Sequence, residues 1–142
     1  MPLQLDIVTP EKLAYSDEVD EVIVPGSEGE LGVLPHHAPL ISTLGAGELR
    51  LKKGGVEESF AIVGGFLQVL PDRVVVMAET ADMASDIDLE RAQEARRQAE
   101  QTLEGGFVEG ADLASARAQL QAALIRIRVA ERRHREGPRH RA

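Results

Sequence analysis

The stretch SDIDLERAQEA, residues 85–95, places Asp88 and Arg91 three positions apart, which puts a carboxylate and a guanidinium on one helical face. Such a pair can hold a small charged ligand: the arginine neutralises phosphate oxygens and the aspartate accepts from a hydroxyl or amino group. The same residues read as a helix start, with Ser85 as N-cap and Asp88 at N3 beside the positive end of the helix dipole. A second charged set lies downstream, where seven arginines fall between Arg126 and Arg141. A C-terminal dipole accounts for one or two of them. A third candidate is GSEGELGVLPHHAPL, residues 26–40, in which three glycines and two prolines specify an irregular loop system bearing Glu28, Glu30, His36 and His37.

Other chemistries fail to assemble. The chain has no cysteine, so a disulfide framework, a thiolate metal site and a thiol nucleophile are all excluded. His36 and His37 are adjacent and diverge, a poor chelate, and no metal site is expected. GSEGELG lacks the Gly-Lys-Ser/Thr ending of a phosphate loop, and none of the serines has a Gly-x-Ser-x-Gly setting. The arginine-rich end is not read as a nucleic-acid site, because the body is acidic and only one Tyr and three Phe are available for stacking. No catalytic residue is expected.

The elements that must position these residues change character near residue 85. Residues 1–85 hold fourteen acids against five bases (Lys12, Arg50, Lys52, Lys53, Arg73), whereas residues 86–142 hold ten acids against eleven arginines. An acidic body thus ends in a basic segment suited to an acidic partner surface. In the first part apolar residues alternate: Leu3, Leu5 and Ile7, then Val19, Val22 and Val24, with further β-prone runs at 31–34, 48–53, 57–63, 66–70 and 73–79. Gly54-Gly55 and Pro71-Asp72 supply tight turns. Short strands with short links and no helical crossover predict an antiparallel sandwich or flattened barrel over 1–84 rather than a parallel sheet.

Beyond Ser85 the period becomes 3.6. Leu89, Ala92, Ala95, Ala99 and Leu103 form one stripe, and Leu113, Ala116, Leu120, Ala123, Ile127 and Ala130 another. These predict an antiparallel hairpin over 85–136, with helices at about 86–103 and 112–135 capped by Ser85 and Asp112, and a flexible basic tail over 137–142. At about 25 cal/mol per Å², an alanine seam stabilises less than a leucine seam. The hairpin is therefore expected to be marginal and able to detach. The chain has no charge-free apolar run of membrane-spanning length and no signal-like start, so a soluble, unexported protein is expected.

Four segments together, LDIVTPEKLAYSDEVDEV, GSEGELGVLPHHAPL, FAIVGGFLQVLPDRVVVMAETA and DIDLERAQEA, resemble the epsilon subunit of bacterial F-type ATP synthases over nearly the whole chain. The resemblance implies a sandwich of about ten strands followed by a helical hairpin. It further implies a non-catalytic rotor subunit of a proton-translocating enzyme, peripheral on the cytoplasmic face of the bacterial inner membrane and attached only through the complex. Partners would be the gamma subunit, the c-ring and the catalytic alpha and beta subunits, with the isolated chain a monomer. Glu28, Glu30 and His37 match the region that meets the c-ring or gamma. His36 stands where the family typically has glycine, so a left-handed backbone there would be strained. The hairpin would permit ATP hydrolysis when folded down and inhibit it when extended, with Arg126, Arg128, Arg132, Arg133 and Arg135 meeting an acidic loop on beta.

Some members bind ATP through a motif Ile/Leu-Asp-x-x-Arg-Ala, which Ile87, Asp88, Arg91 and Ala92 match. Arg126 matches a phosphate-binding arginine of the second helix, while Ala122 stands where a further one is seen. No cofactor is required on this reading, and ATP would be a regulatory ligand. The alternative reading is a free-standing ligand-sensing β-sandwich adaptor with a helical effector arm.

Overall fold

Alternation along the chain builds the sheet. In the computed structural model, which describes residues 3–105, 110–136 and 139–140, β1 (Leu3–Val8) buries Leu3, Leu5 and Ile7 and turns Gln4, Asp6 and Val8 outward. It is followed by β2 (Leu13–Val19), β3 (Glu21–Gly26), β4 (Gly29–Val33), β5 (Leu40–Thr43), β6 (Gly47–Lys53), β7 (Val56–Leu70) and β8 (Arg73–Met83). The hydrogen-bonded order is β2-β1-β8-β7-β6-β3-β4, with β5 on the second half of β7. Folded over as a sandwich, the sheet encloses one core that includes Leu5, Ile7, Val24, Leu49, Phe60, Ile62, Leu67 and Val76. No described residue of the helical hairpin belongs to that core.

The sandwich forms as expected, and two details of its sheet go beyond the expectation. Runs 57–63 and 66–70 are one fifteen-residue strand, because Gly64 and Gly65 take positive φ (63° and 112°) and bend it without ending it. Eight strands are thus described in the sandwich. It is also not wholly antiparallel: β1 and β8 pair in parallel, Gln4 opposite Arg73 through Val8 opposite Met77. No crossover helix is needed, since the intervening strands of the sandwich themselves form the connection. The Gly54-Gly55 hairpin forms as expected, Lys53 facing Val56 with φ of 57° and 80° at the two glycines.

A single 3₁₀ turn, Ala84–Asp86, leads into α1 (Leu89–Glu104), and α2 (Ala111–Glu136) returns against it. The cap of α1 is Asp88, not Ser85: its Oδ1 accepts from the Arg91 backbone N–H at 3.2 Å. Ser85 is displaced from that role because the turn is tied down by Ala84, buried against Ala61 and Val129. Likewise α2 begins at Ala111, so Asp112 lies within its first turn, and the Ala114 N–H donates to the Gly110 carbonyl. Residues 106–109 of the expected break lie outside the described residues. The stripes bury Ala92, Ala99, Ala116, Ala123, Ile127 and Ala130. A second face of α2, with Ile125 and Val129, packs on the sandwich through Ala61 and Ala84. Of the segment expected as a flexible tail, Arg139–His140 form a two-residue strand, β9, paired with Val56 and Glu57 on β7; its other residues lie outside the described ones.

Candidate functional site

Where β8 ends and the hairpin begins, the chain folds round a cleft of about 380 Å³ lined by Asp82, Asp86, Ile87, Asp88, Arg91, Ala92, Ala95 and Arg126. All five residues expected to hold a nucleotide (Ile87, Asp88, Arg91, Ala92 and Arg126) therefore share one cavity wall. Its volume falls within the range usual for small-molecule sites. Small side chains at Ala92 and Ala95 keep the floor shallow, and the two guanidiniums come from different helices. Arg126 is already engaged, its Nε donating to Asp82 Oδ2 at 2.8 Å. The lining holds three carboxylates against two guanidiniums, so a bare triphosphate meets opposing charge unless a divalent cation accompanies it. Ala122 is not part of the lining.

The other arginines of α2 are not one surface. Arg128 is exposed and lines a second cleft, about 380 Å³, with Gly26, Gly29, Glu30, Gly47 and Glu48. Arg132 and Arg133 turn inward onto the sandwich, Arg132 against Glu48 (2.9 Å), Glu57 (3.8 Å) and the Ser59 hydroxyl (3.1 Å), Arg133 against Glu58 (3.5 Å). The side chain of Arg135 lies outside the described residues.

The loop residues divide too. Glu28 stands exposed in the β3–β4 turn, and Glu30 of β4 is bonded by Arg50 at 2.7 Å. That turn is tied to the Thr43 end of β5 through Ser27, whose N–H donates to the Thr43 carbonyl. His37 belongs to the other end, where the His36 N–H donates to the Pro71 carbonyl at 2.6 Å and His37 Nδ1 lies 2.7 Å from the Ala38 carbonyl oxygen. At a rise of about 3.3 Å per residue, β5 separates the two places by roughly 10 Å. His36 has φ 68°, the one described non-glycine residue in the left-handed region.

The sequence reading did not single out the outer face of the sheet. Register aligns Leu13, Val8, Met77 and Phe66 in one row across β2, β1, β8 and β7, and Ile41 stands on β5 one pair further along. Leu13, Met77, Phe66 and Ile41 are 44% to 73% exposed. An exposed apolar row of this kind is a candidate surface for another molecule to cover. Its next row includes Asp6, whose carboxylate accepts from Ser16 (2.6 Å) and Gln4 (3.0 Å) and is held below the usual carboxylate range, chiefly by the Ser16 bond and then by Gln4. The available signal was VVVMA at 74–78, an unbroken apolar run where a strand with one solvated face should alternate. Among the described residues, no group of His, Asp or Glu side chains is placed to hold a metal ion, and no helix is long and apolar enough to cross a membrane.

Comparison with known proteins covers both parts of the chain. Residues 2–84 match the family model of the ATP synthase delta/epsilon chain β-sandwich domain, and residues 85–131 that of its long α-helix domain. The ATP synthase epsilon chain of Dehalococcoides mccartyi is 50% identical over 131 residues, 92% of this chain and 94% of that one. That of Herpetosiphon aurantiacus is 47% identical over 137 residues, 96% of this chain and all of the other. In fold, the chain is similar to one in the cryo-EM structure of the Euglena gracilis mitochondrial ATP synthase. The TM-score is 0.72 at 22% identity, covering 87% of this chain and 78% of that one.

Proposed function

Since this chain belongs to the epsilon-chain family of bacterial ATP synthases, we propose that it is a non-catalytic central-stalk subunit of a proton-translocating ATP synthase, peripheral on the cytoplasmic face of the membrane. Its sandwich couples the gamma subunit to the c-ring, and its hairpin restrains ATP hydrolysis by the alpha and beta subunits. The observation that carries the coupling role is the apolar row Leu13, Val8, Met77 and Phe66 with Ile41. Coil or solvent would leave these side chains wet, whereas a rotor partner buries them. Phe66→Asp with Met77→Asp, coexpressed with gamma, is expected to lose co-purification while the sandwich keeps its circular dichroism. Undiminished co-purification would mean that gamma is met elsewhere, and Glu28, Glu30 and His37 would then be the next residues to substitute.

The cleft at the start of the hairpin supports a second element of this reading, ATP as a regulatory ligand. Arg91 and Arg126 would meet the phosphates, Asp88 would cap α1 and accept from the ribose or base, and Ile87 and Ala92 would form the apolar wall. Ligand bound here joins β8, α1 and α2 and so favours the folded hairpin. Calorimetric titration of the isolated chain with MgATP should give saturable heat that Arg91→Ala weakens tenfold or more, as expected for about 1.5 to 3 kcal/mol from one charge-assisted contact. Equal affinity in the variant would remove the nucleotide from this cleft.

A further inference from the structure

The apolar seam between the hairpin and the sandwich is thin: Val129 and Ile125 of α2 meet Ala61, Ala84 and Ile87. Charge reinforces it. Arg126 reaches Asp82, Arg132 reaches Glu48 and Glu57, and Arg133 reaches Glu58, so one helix is clamped to β6, β7 and β8 by a ladder of ion pairs. The middle rung is well covered, with Arg132, Glu48 and Glu57 side chains 20%, 17% and 9% exposed. The outer rungs, Arg126 with Asp82 and Arg133 with Glu58, are 30% to 40% exposed and so stay open to screening by salt.

All three of these arginines belong to the set that, on the reading above, meets an acidic surface of the catalytic subunits when the hairpin extends. We propose that Glu48, Glu57 and Glu58 form an internal acidic decoy: they hold the hairpin down and occupy the arginines that an acidic partner would recognise. Release is then a charge exchange, in which a carboxylate surface on the partner replaces the carboxylates of the sandwich. The partner need not open the sandwich core, in which no described helical residue takes part, and has only the small seam of Ala61, Ala84 and Val129 to expose. Glu48 fixes the geometry from the sheet side, since it also lies 4.0 Å from Arg50, which in turn holds Glu30. The ladder is thereby linked to the β3–β4 hairpin.

This inference rests on the inhibitory reading for its consequence but not for its test, which needs only the isolated full-length chain. The protein has no cysteine of its own, so dyes can be placed through Lys53→Cys on the sandwich and Glu131→Cys on α2, and energy transfer between them reports docking. Raising KCl from about 0.1 to 1 M shortens the screening length from about 10 to 3 Å and should lower the docking constant about tenfold. Glu48→Gln with Glu57→Gln should lower it about fivefold at low salt, the equivalent of about 1 kcal/mol, and should flatten the salt dependence. Arg133→Glu and Glu58→Arg should each loosen the hairpin, and together they should restore it. Docking indifferent to salt and to Glu48 and Glu57, or a charge exchange without restoration, would overturn the decoy. If the Glu48 and Glu57 variant fails to fold, the Arg133 and Glu58 exchange decides alone. Failure here would leave untouched the comparison of ATP hydrolysis with and without the hairpin, which tests the inhibitory reading, so the two readings fail separately.

Discussion

His36 sits with φ 68° and donates its N–H to the Pro71 carbonyl at 2.6 Å. A residue with a Cβ held in that region costs about 1–2 kcal/mol relative to its relaxed backbone, and the adjoining turn keeps it there. Replacing His36 by Gly removes the steric cost but adds freedom to the unfolded chain, so a net gain of about 0.5–1 kcal/mol is expected. It would be seen as a higher urea midpoint with an unchanged slope; a lowered midpoint would mean that the imidazole contributes more than the backbone costs. The position was legible in the sequence, because a histidine stood where the resembling family has glycine. The partnership of Arg126 with Asp82 was not, since those residues are forty-four positions apart and neither type nor spacing links them. Asp88 and Arg91, by contrast, were legible because three residues of helix fix their mutual geometry whatever the rest of the fold does.

At the level of elements, periodicity reported what each segment is, and turn chemistry reported less well where it stops. Gly64-Gly65 resembled a strand end and is a bend within β7. A Cβ at Gly65 would lie 1.9 Å from the Met77 carbonyl oxygen, so the glycine allows β8 to pass close rather than ending the strand. Ser85 and Asp88 are both good caps, and the choice between them was made by packing: Ala84 is buried under Val129, which commits residues 84–86 to a 3₁₀ turn and leaves Asp88 to start α1. Asp88→Ala should therefore cost the first turn of α1 about 1 kcal/mol, read as faster amide exchange at residues 89–92. Ser85→Ala should leave that exchange unchanged; the reverse pattern would place the cap at Ser85. The second buried face of α2 escaped the sequence reading because Ile125 and Val129 interleave with arginines. Two apolar stripes on one helix blur into a single weak pattern.

On the scale of the whole molecule, a self-contained sandwich presents an apolar face to one side and carries a loosely seamed, charge-clamped hairpin on another. The two-part architecture was legible from the change of period and charge at residue 85. The apolar face was not, because a sequence does not show which strands are neighbours, and the row of Leu13, Val8, Met77 and Phe66 exists only through the parallel pairing of β1 with β8. Such a division means that the hairpin can be removed without opening the core of the sandwich. The most direct test is the rate of ATP hydrolysis by the complete ATP synthase assembled with a chain ending at residue 85. A raised rate with an unchanged complement of subunits is predicted, and an unchanged rate in a fully assembled complex would contradict the inhibitory role proposed for the hairpin.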